Sequence, residues 1–319
     1  MKYLKEFATQ QEYEAYIANT NDLPNVSLID EDDSVKYKQK PDYSKQYLTF
    51  VAVEDGTFNF KNIYNNPQTI DYSLDGGETW TTLANNANTP TIHQGDKIMW
   101  KNASSISSAG FGRFASTGKY NVEGNVMSIP YGDNFIGQET IPISMQNTFM
   151  YLFSGCTGVT SAENLSLPAT TLVSNCYNAM FKDCTSLTTA PQLPATTLTG
   201  GCYRDMFRGC TSLLASPELP ATTLSKNCYR DMFYGCTSLD TAPELPATTL
   251  ADGCYQNMFL NCRNVSYIKM LATDISASLC LNNWVNGVAA TGTFVKATSQ
   301  TSLPSGDNGI PRGWTVINE

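Results

Sequence analysis

A tandem repeat between residues 153 and 285 constrains this chain more than any other feature. Three copies begin at Phe181, Phe207 and Phe233, each copy is 26 residues long, and no residue separates them. A fixed period of this length is typical of proteins in which each unit stacks on its neighbours. The repeat therefore predicts a solenoid in which equivalent residues form columns, with about 5 Å between successive turns.

The cysteines follow the repeat, and all ten lie inside it. They form two columns, which consist of Cys156, Cys184, Cys210, Cys236 and Cys262 and of Cys176, Cys202, Cys228, Cys254 and Cys280. A zinc site usually has close pairs such as C-x2-C, whereas the regular copies alternate spacings of 8 and 18 residues. Disulfides between neighbouring turns stay an alternative. Since free cysteine packs as a small buried hydrophobe, we expect ten buried thiols.

Each repeat unit contains two kinds of sequence pattern. Cys202, Tyr203, Met206, Phe207 and Cys210 fall at i, i+1, i+4, i+5 and i+8, a spacing that predicts one face of a short helix. The following segment, 213–219, contains a proline and alternates loosely, as an extended rung would. We therefore expect one short helix and one short extended rung in each turn of the solenoid.

The remaining segments predict a multidomain protein that is mainly β with short helices. Residues 1–44 are interpreted as a small α+β module, with a helix after a capping box at Thr9 and two strands around the acidic turn 30–33. Residues 45–142 predict a β-sandwich, and residues 143–290 the solenoid. Residues 291–319 predict a C-terminal cap that folds over the last rung and hides its edge. The predicted strands of the sandwich are 47–53, 57–60, 70–72, 97–100 and 126–129.

One motif in the sandwich segment is open to two interpretations. Ser73, Asp75, Gly77, Thr79 and Trp80 match the Asp-box pattern S-x-D-x-G-x-T-W, which recurs in sialidases and would indicate a glycosidase. Physically the pattern is a hairpin turn in which Ser and Asp bond the turn backbone and the Trp fills the core. The chain has one copy and no accompanying arginine cluster, which favours the structural turn.

The repeat resembles a known family. The motif FxGCTSL and the longer unit LPATTLxxxCYxxMFxGCTSLxxAPxLPATTL look like the BspA-like leucine-rich repeat, in a subgroup encoded by gut anaerobes and their bacteriophages. The resemblance covers residues 148 to 319. It implies a right-handed solenoid used for adhesion or display, and it implies no catalytic residues.

Composition narrows the function classes. The net charge of −9 and the sequence pI near 4.7 argue against nucleic acid as a partner, because nucleic-acid binding requires clustered Lys and Arg. No window reaches the length of a membrane span, and the N-terminal segment lacks the apolar core of a signal peptide. The single histidine, His93, lies in another predicted domain from the cysteines, so no Cys-His or Ser-His-Asp arrangement is indicated. We expect no enzyme, no metal and no cofactor.

The candidate binding face consists of residues that the repeat places outside the apolar columns. These are Arg204, Asp205, Arg208, Arg230, Asp231, Tyr234, Gln256, Asn257 and Leu260. The favoured hypothesis is a bacteriophage virion component, made in the host cytoplasm, that docks on other virion proteins through residues 1–44. Its repeat face would contact a host-surface protein or glycan, and homo-oligomerisation stays open. The alternative is a bacterial cell-surface adhesin of the BspA-like kind.

Overall fold

The computed structural model describes residues 27–29, 35–37, 42–62, 69–102 and 112–319. The described chain is mainly β with a few short helices, which confirms the predicted class at that level. It divides into two compact units, residues 1–42 and 43–319. The helix predicted after Thr9 and the acidic turn 30–33 lie outside the described residues.

Two strands are described in the first unit. β1 (Ser27–Ile29) and β2 (Val35–Tyr37) pair in antiparallel fashion, with Ser27 opposite Tyr37 and Ile29 opposite Val35. Both strands coincide with the two that the sequence predicts on either side of residues 30–33.

Eight strands open the second unit. They are β3 (Leu48–Ala52), β4 (Phe58–Asn62), β5 (Ile70–Ser73), β6 (Thr81–Leu83), β7 (Lys97–Asn102), β8 (Gly112–Ser116), β9 (Tyr120–Asn125) and β10 (Val159–Ser166). Six of them form a sheet in the order β10-β9-β3-β7-β5-β6, and β4 pairs separately with β8. All pairs are antiparallel except β10 with β9. Since β10 belongs to the first repeat, the sheet continues directly into the repeat region.

An aromatic cluster joins these strands. The Phe50 ring lies 4.8 Å from that of Phe114 and 5.4 Å from that of Trp100, which links the six-stranded sheet to the β4–β8 pair. The Phe153 ring of the first repeat lies 5.9 Å from Phe50 and stacks on Phe114 at 5.8 Å. The core of the sheet therefore runs without a break into the core of the repeats.

The strand predicted at 126–129 is wrong. Residues Ser128–Tyr131 form a one-turn helix, α1, and the Asn125 side chain accepts a hydrogen bond from the Met127 N–H (2.9 Å). The buried Ser128 hydroxyl accepts the Leu48 N–H and donates to the Trp100 carbonyl, at 2.9 Å each. The segment thus satisfies backbone groups of β3 and β7 in place of adding a strand to the sheet.

The predicted short helix of each repeat is also wrong, because the segment is a chain of tight turns. The Met206 N–H donates to the Tyr203 carbonyl (3.2 Å), and the Cys210 N–H to that of Phe207 (3.0 Å). Gly201, Asp205 and Gly209 have φ of 64°, 55° and 74°, the left-handed conformation that a right-handed helix cannot contain. Asn, Asp or Gly occupies most of the equivalent positions in the other turns, because these residues tolerate that conformation best.

The backbone groups left over by the turns bond to the neighbouring repeat. The Tyr203 N–H donates to the Cys228 carbonyl (3.0 Å), and the Tyr177 N–H donates to the Cys202 carbonyl (3.0 Å). On the rung side, Thr197 forms parallel bridges with Thr171 and Thr223 in the turns before and after it. Each repeat is therefore hydrogen-bonded to the next along both its turn segment and its rung.

Equivalent side chains stack in columns, as the sequence predicts. Successive rings from Phe153 to Phe259 lie 5.1 to 5.8 Å apart, and those from Phe149 to Tyr255 lie 5.4 to 6.1 Å apart, all nearly parallel. All ten cysteines are buried and unbridged, as predicted. In one column four thiols donate to a phenylalanine carbonyl of the preceding repeat, for example Cys210 to Phe181 at 3.0 Å, and Cys156 donates to the Phe114 carbonyl of β8.

Both ends of the stack are bonded to other elements. At the first turn, the Phe114 N–H of β8 donates to the Leu152 carbonyl (2.9 Å). At the last turn, the Trp284 indole donates to the Gly309 carbonyl (2.9 Å), and the Asn308 side chain accepts the Asn283 N–H (2.7 Å). The C-terminal segment thereby covers the turn side of the last repeat.

The C-terminal tail covers the rung edge of the last repeat and leaves its own outer strand as the new edge. β11 (Tyr267–Met270), β12 (Thr293–Lys296) and β13 (Thr315–Asn318) form a parallel sheet in that order, and every residue of β13 is exposed. The tail adds two strands to the rung side of the stack, so the edge is moved to β13.

Candidate functional site

The nine candidate residues lie on adjacent turn segments, which we call the turn face. On the first of them, Asp205 accepts from two arginines: Arg204 Nε at 3.2 Å and Arg208 Nη1 at 3.2 Å. The two guanidinium groups share one carboxylate, so this turn has an excess of positive charge. About 40% of the Arg204 side chain and 37% of the Arg208 side chain remain exposed.

The next turn repeats the arrangement with one arginine. Arg230 Nε lies 3.1 Å from an Asp231 oxygen, and the Asn257 side chain of the following turn donates to the other Asp231 oxygen (2.9 Å). Asp231 therefore connects two turns. The carboxylate is 94% buried, and its two partners supply the charge and hydrogen bonds that a buried carboxylate requires.

An aromatic contact links the first two of these turns. The Arg208 guanidinium carbon lies 4.5 Å from the centre of the Tyr234 ring, within the range of a cation–π interaction. Tyr234 and Leu260 are half-buried and continue the Arg208 column, while Gln256 continues the column of Arg204 and Arg230. Side-chain chemistry along both columns thus changes from cationic to neutral toward the C-terminus.

The expectation that Asp205 faces water is wrong, and Asp231 is buried as well. Their exposed fractions are 9% and 4%, and their φ values are 55° and 56°. The same column contains Ala179, Asn257 and Asn283 at φ of 53° to 55°. These carboxylates occupy a left-handed backbone position and hold arginines in place. The other seven candidates, which are the three arginines, Tyr234, Gln256, Asn257 and Leu260, are half-buried and keep some exposed surface.

The cysteine thiols in the interior of the stack have raised pKa values. Burial raises the pKa of the Cys156 and Cys176 thiols to about 12, and it raises the pKa of Cys210 and its equivalents as well. Since the thiolate is the nucleophile and the metal ligand, these cysteines are protonated and unreactive near neutral pH.

The single histidine, His93, is exposed to solvent, whereas the thiols are buried. His93 Nδ1 is 3.0 Å from an Asp55 oxygen, and both side chains are mostly exposed. Hydrogen bonding to Asp55 raises the pKa of His93. The pKa of Asp55 is lowered, mainly by the hydrogen bond from the Gln94 N–H and to a smaller extent by the bond with His93. The pair links the loop after β3 to the loop before β7, and the Gln94 N–H adds a second bond to Asp55 (2.8 Å).

The Asp-box motif forms the predicted hairpin turn between β5 and β6. Asp75 accepts the Thr79 N–H (2.9 Å), and Ser73 Oγ accepts the Gly77 N–H (2.9 Å). Hydrogen bonds from Thr79 lower the pKa of Asp75, so its carboxylate is held as a turn acceptor. The prediction that Trp80 fills the core is wrong: its ring is half-buried and packs against Tyr47 at 4.9 Å.

No sequence motif predicts a polar cluster that lies beside Trp80. Lys101 Nζ lies 4.3 Å from the Trp80 ring centre and 2.7 Å from an Asp133 oxygen, which also accepts the Tyr47 hydroxyl (2.7 Å). Burial, followed by the bond to Asp133, raises the pKa of Tyr47 to about 12, while Lys101 lowers that of Asp133. The cluster ties the segment after α1 to the outer face of the sheet.

Two pockets of the described residues are large enough to consider. One of about 400 Å³ lies beside the Asp-box turn, where Asp96 is the one carboxylate in its lining; the others are Leu74, Gly76, Thr91, Ile92, Lys97 and Met99. The second, of about 300 Å³, lies between the rungs of two repeats, among the prolines around Glu218 and Glu244. A glycosidase uses two carboxylates across one bond, and the described residues that line the first pocket include one.

The described ranges contain neither a metal-binding cluster nor a membrane-spanning helix. Within them, no group of three or more His, Cys, Asp or Glu side chains could hold a metal ion. In the same ranges, no helix has both the length and the apolar character needed to cross a bilayer.

Comparison of the chain with protein-family models, curated proteins and solved structures found no match.

Proposed function

We propose that this protein is a non-enzymatic structural and binding protein, a bacteriophage virion component in the head or tail. In this proposal the stack is a BspA-like leucine-rich-repeat solenoid. The strands before it form a β-sandwich spacer, the tail forms a cap, and residues 1–44 dock on other virion proteins. The turn face is displayed for attachment to a host protein or glycan.

One observation supports this proposal above the others. The interior columns keep the same residue types from turn to turn, because each ring and thiol must fit the one beneath it. On the turn face the residues differ, as Arg208, Tyr234 and Leu260 do in one column. A constant interior with a variable outer face is the arrangement that repeat proteins use for extended recognition surfaces.

The docking role of the N-terminal segment has separate support. Residues 1–42 form a compact unit of their own, and residues 43–319 form the other. A unit of this size buries little surface and gains stability from a partner. The same turn face would serve a cell-surface adhesin, so localisation decides between the two functions.

The experiment compares the full chain with residues 43–319 in cultures that produce particles. Purified particles and isolated cell envelopes are both analysed by quantitative mass spectrometry. The proposal expects the full chain in the particles and the truncated chain in neither fraction. Enrichment in the envelope would favour the adhesin, and equal particle association of both chains would reject docking through the N-terminal segment.

A further inference from the structure

The cations of the repeat region are concentrated on the turn face. Lys182, Arg204, Arg208, Lys226 and Arg230 all lie in the turn segments of consecutive repeats, and all are half-buried or exposed. The exposed carboxylates Glu218 and Glu244 lie on the rungs. The same turn segments also hold Asp183, Asp205, Asp231 and Asp252, so five cations face four carboxylates and the turn face has a small excess of positive charge in a chain whose net charge is −9.

The arginines of this surface are oriented before any ligand arrives. Arg204 and Arg230 each contact a buried carboxylate through Nε, and Arg208 contacts one through Nη1. These bonds fix the guanidinium planes and use only part of their five donors. The remaining donors are available for bidentate contacts to an anionic group, which is the interaction that arginine forms best.

The spacing of the turns suggests what kind of anion fits. Arg204 and Arg230 occupy equivalent positions of adjacent turns, which in a stacked β structure are about 4.8 Å apart. This separation is comparable with the length of one sugar residue along a polysaccharide. A half-buried Tyr234 beside Arg208 adds an aromatic ring that can pack against a sugar.

We infer that the turn face binds an acidic polysaccharide, whose carboxylate or sulfate groups contact Arg204, Arg208 and Arg230 on successive turns while a sugar ring packs on Tyr234. This inference rests on the proposed display function and specifies its ligand class. Single-stranded nucleic acid is the competing polyanion. It is disfavoured because its binding sites combine a longer basic groove with several aromatic rings, and this face has one such ring.

The test uses the full chain and isothermal titration with four probes: oligogalacturonate for carboxylates, heparin for sulfates, neutral dextran, and oligothymidylate. Arg204→Gln is the main variant, because Asp205 keeps Arg208 as a partner and Gln256 already occupies the same column. Arg263→Gln is the matched control, since this exposed arginine is not one of the nine candidate residues. Thermal unfolding confirms that each variant is folded.

We expect oligogalacturonate or heparin to bind and dextran not to bind. Losing one bidentate contact should weaken binding by about tenfold in Arg204→Gln, and by less than about twofold in Arg263→Gln. Equal losses in the two variants, binding of neither acidic glycan, or tighter binding of oligothymidylate would each overturn the inference. Particle association is measured separately, so a chain that assembles without binding acidic glycans rejects this ligand class and leaves the virion role intact.

Discussion

The sharpest stability prediction concerns Leu279, which lies at a position where the other repeats have Asn or Gly. Its φ is 56°, like those of Asn175, Gly201, Asn227 and Gly253 in the same column. A leucine in the left-handed conformation costs about 1–2 kcal/mol, and glycine adopts it without that cost. We therefore compare Leu279→Gly with the same substitution at Leu214, which has no positive φ.

The two leucines form a matched pair, because their exposed fractions are 59% and 58%. Each substitution loses the same partial burial and adds about 0.5–1 kcal/mol of chain entropy to the unfolded state. These terms cancel in the difference between the variants. Leu279→Gly should therefore be more stable than Leu214→Gly by about 1–2 kcal/mol, which is the backbone term alone.

The assay is equilibrium unfolding in guanidinium chloride, followed by tryptophan fluorescence. Trp284 is fully buried five residues after Leu279, in the same turn segment, and reports on the end of the stack. Leu214→Gly should lower the unfolding midpoint clearly, and Leu279→Gly should leave it almost unchanged. Equal losses in the two variants would refute the claim that the left-handed positions of the turns are strained for leucine.

Three further predictions concern the stack. At pH 8 a thiol reagent should modify none of the ten cysteines in the folded protein and all of them after unfolding; rapid native labelling would contradict their burial. Since folding raises the pKa of Cys176 to about 12 from an unfolded value of about 8.5, its contribution to stability is complete below about pH 8.5 and is lost as the pH rises toward 12. Deletion of residues 207–232 removes one period and should give a folded chain with a stack shorter by about 4.8 Å, measurable by small-angle scattering. Deletion of residues 207–219 breaks the register and should prevent folding, so a folded product there would contradict the stacking.

The columns of the stack could be predicted from the sequence because the repeat is almost perfect. A 26-residue period places each Phe and Cys above its equivalent, whatever the backbone between them does. The turn segments could not be assigned by apolar spacing, because positions i, i+4 and i+8 lie on one face both of a helix and of a chain of turns. The signal that distinguishes them is Gly201, Asp205 and Gly209, which place left-handed residues at every fourth position.

The sequence predicts which residues lie on the turn face, but it does not predict which of them are buried. Repeat spacing identified Arg204, Arg208 and Arg230, but it placed Asp205 and Asp231 beside them at the surface. Both carboxylates are buried in contacts with these arginines, and a spacing argument does not contain such contacts. The Trp80–Lys101–Asp133 cluster could not be predicted at all, because its members lie at least 21 residues apart on different elements.

The central claim is that equivalent side chains of successive repeats lie directly above one another. A crystal structure of the full chain measures this most directly. It should place the Phe181 and Phe207 rings 5.8 Å apart, the Phe207 and Phe233 rings 5.7 Å apart, and the Cys210 thiol 3.0 Å from the Phe181 carbonyl. Rings displaced sideways out of the column, or a disulfide or metal joining the cysteines, would contradict it.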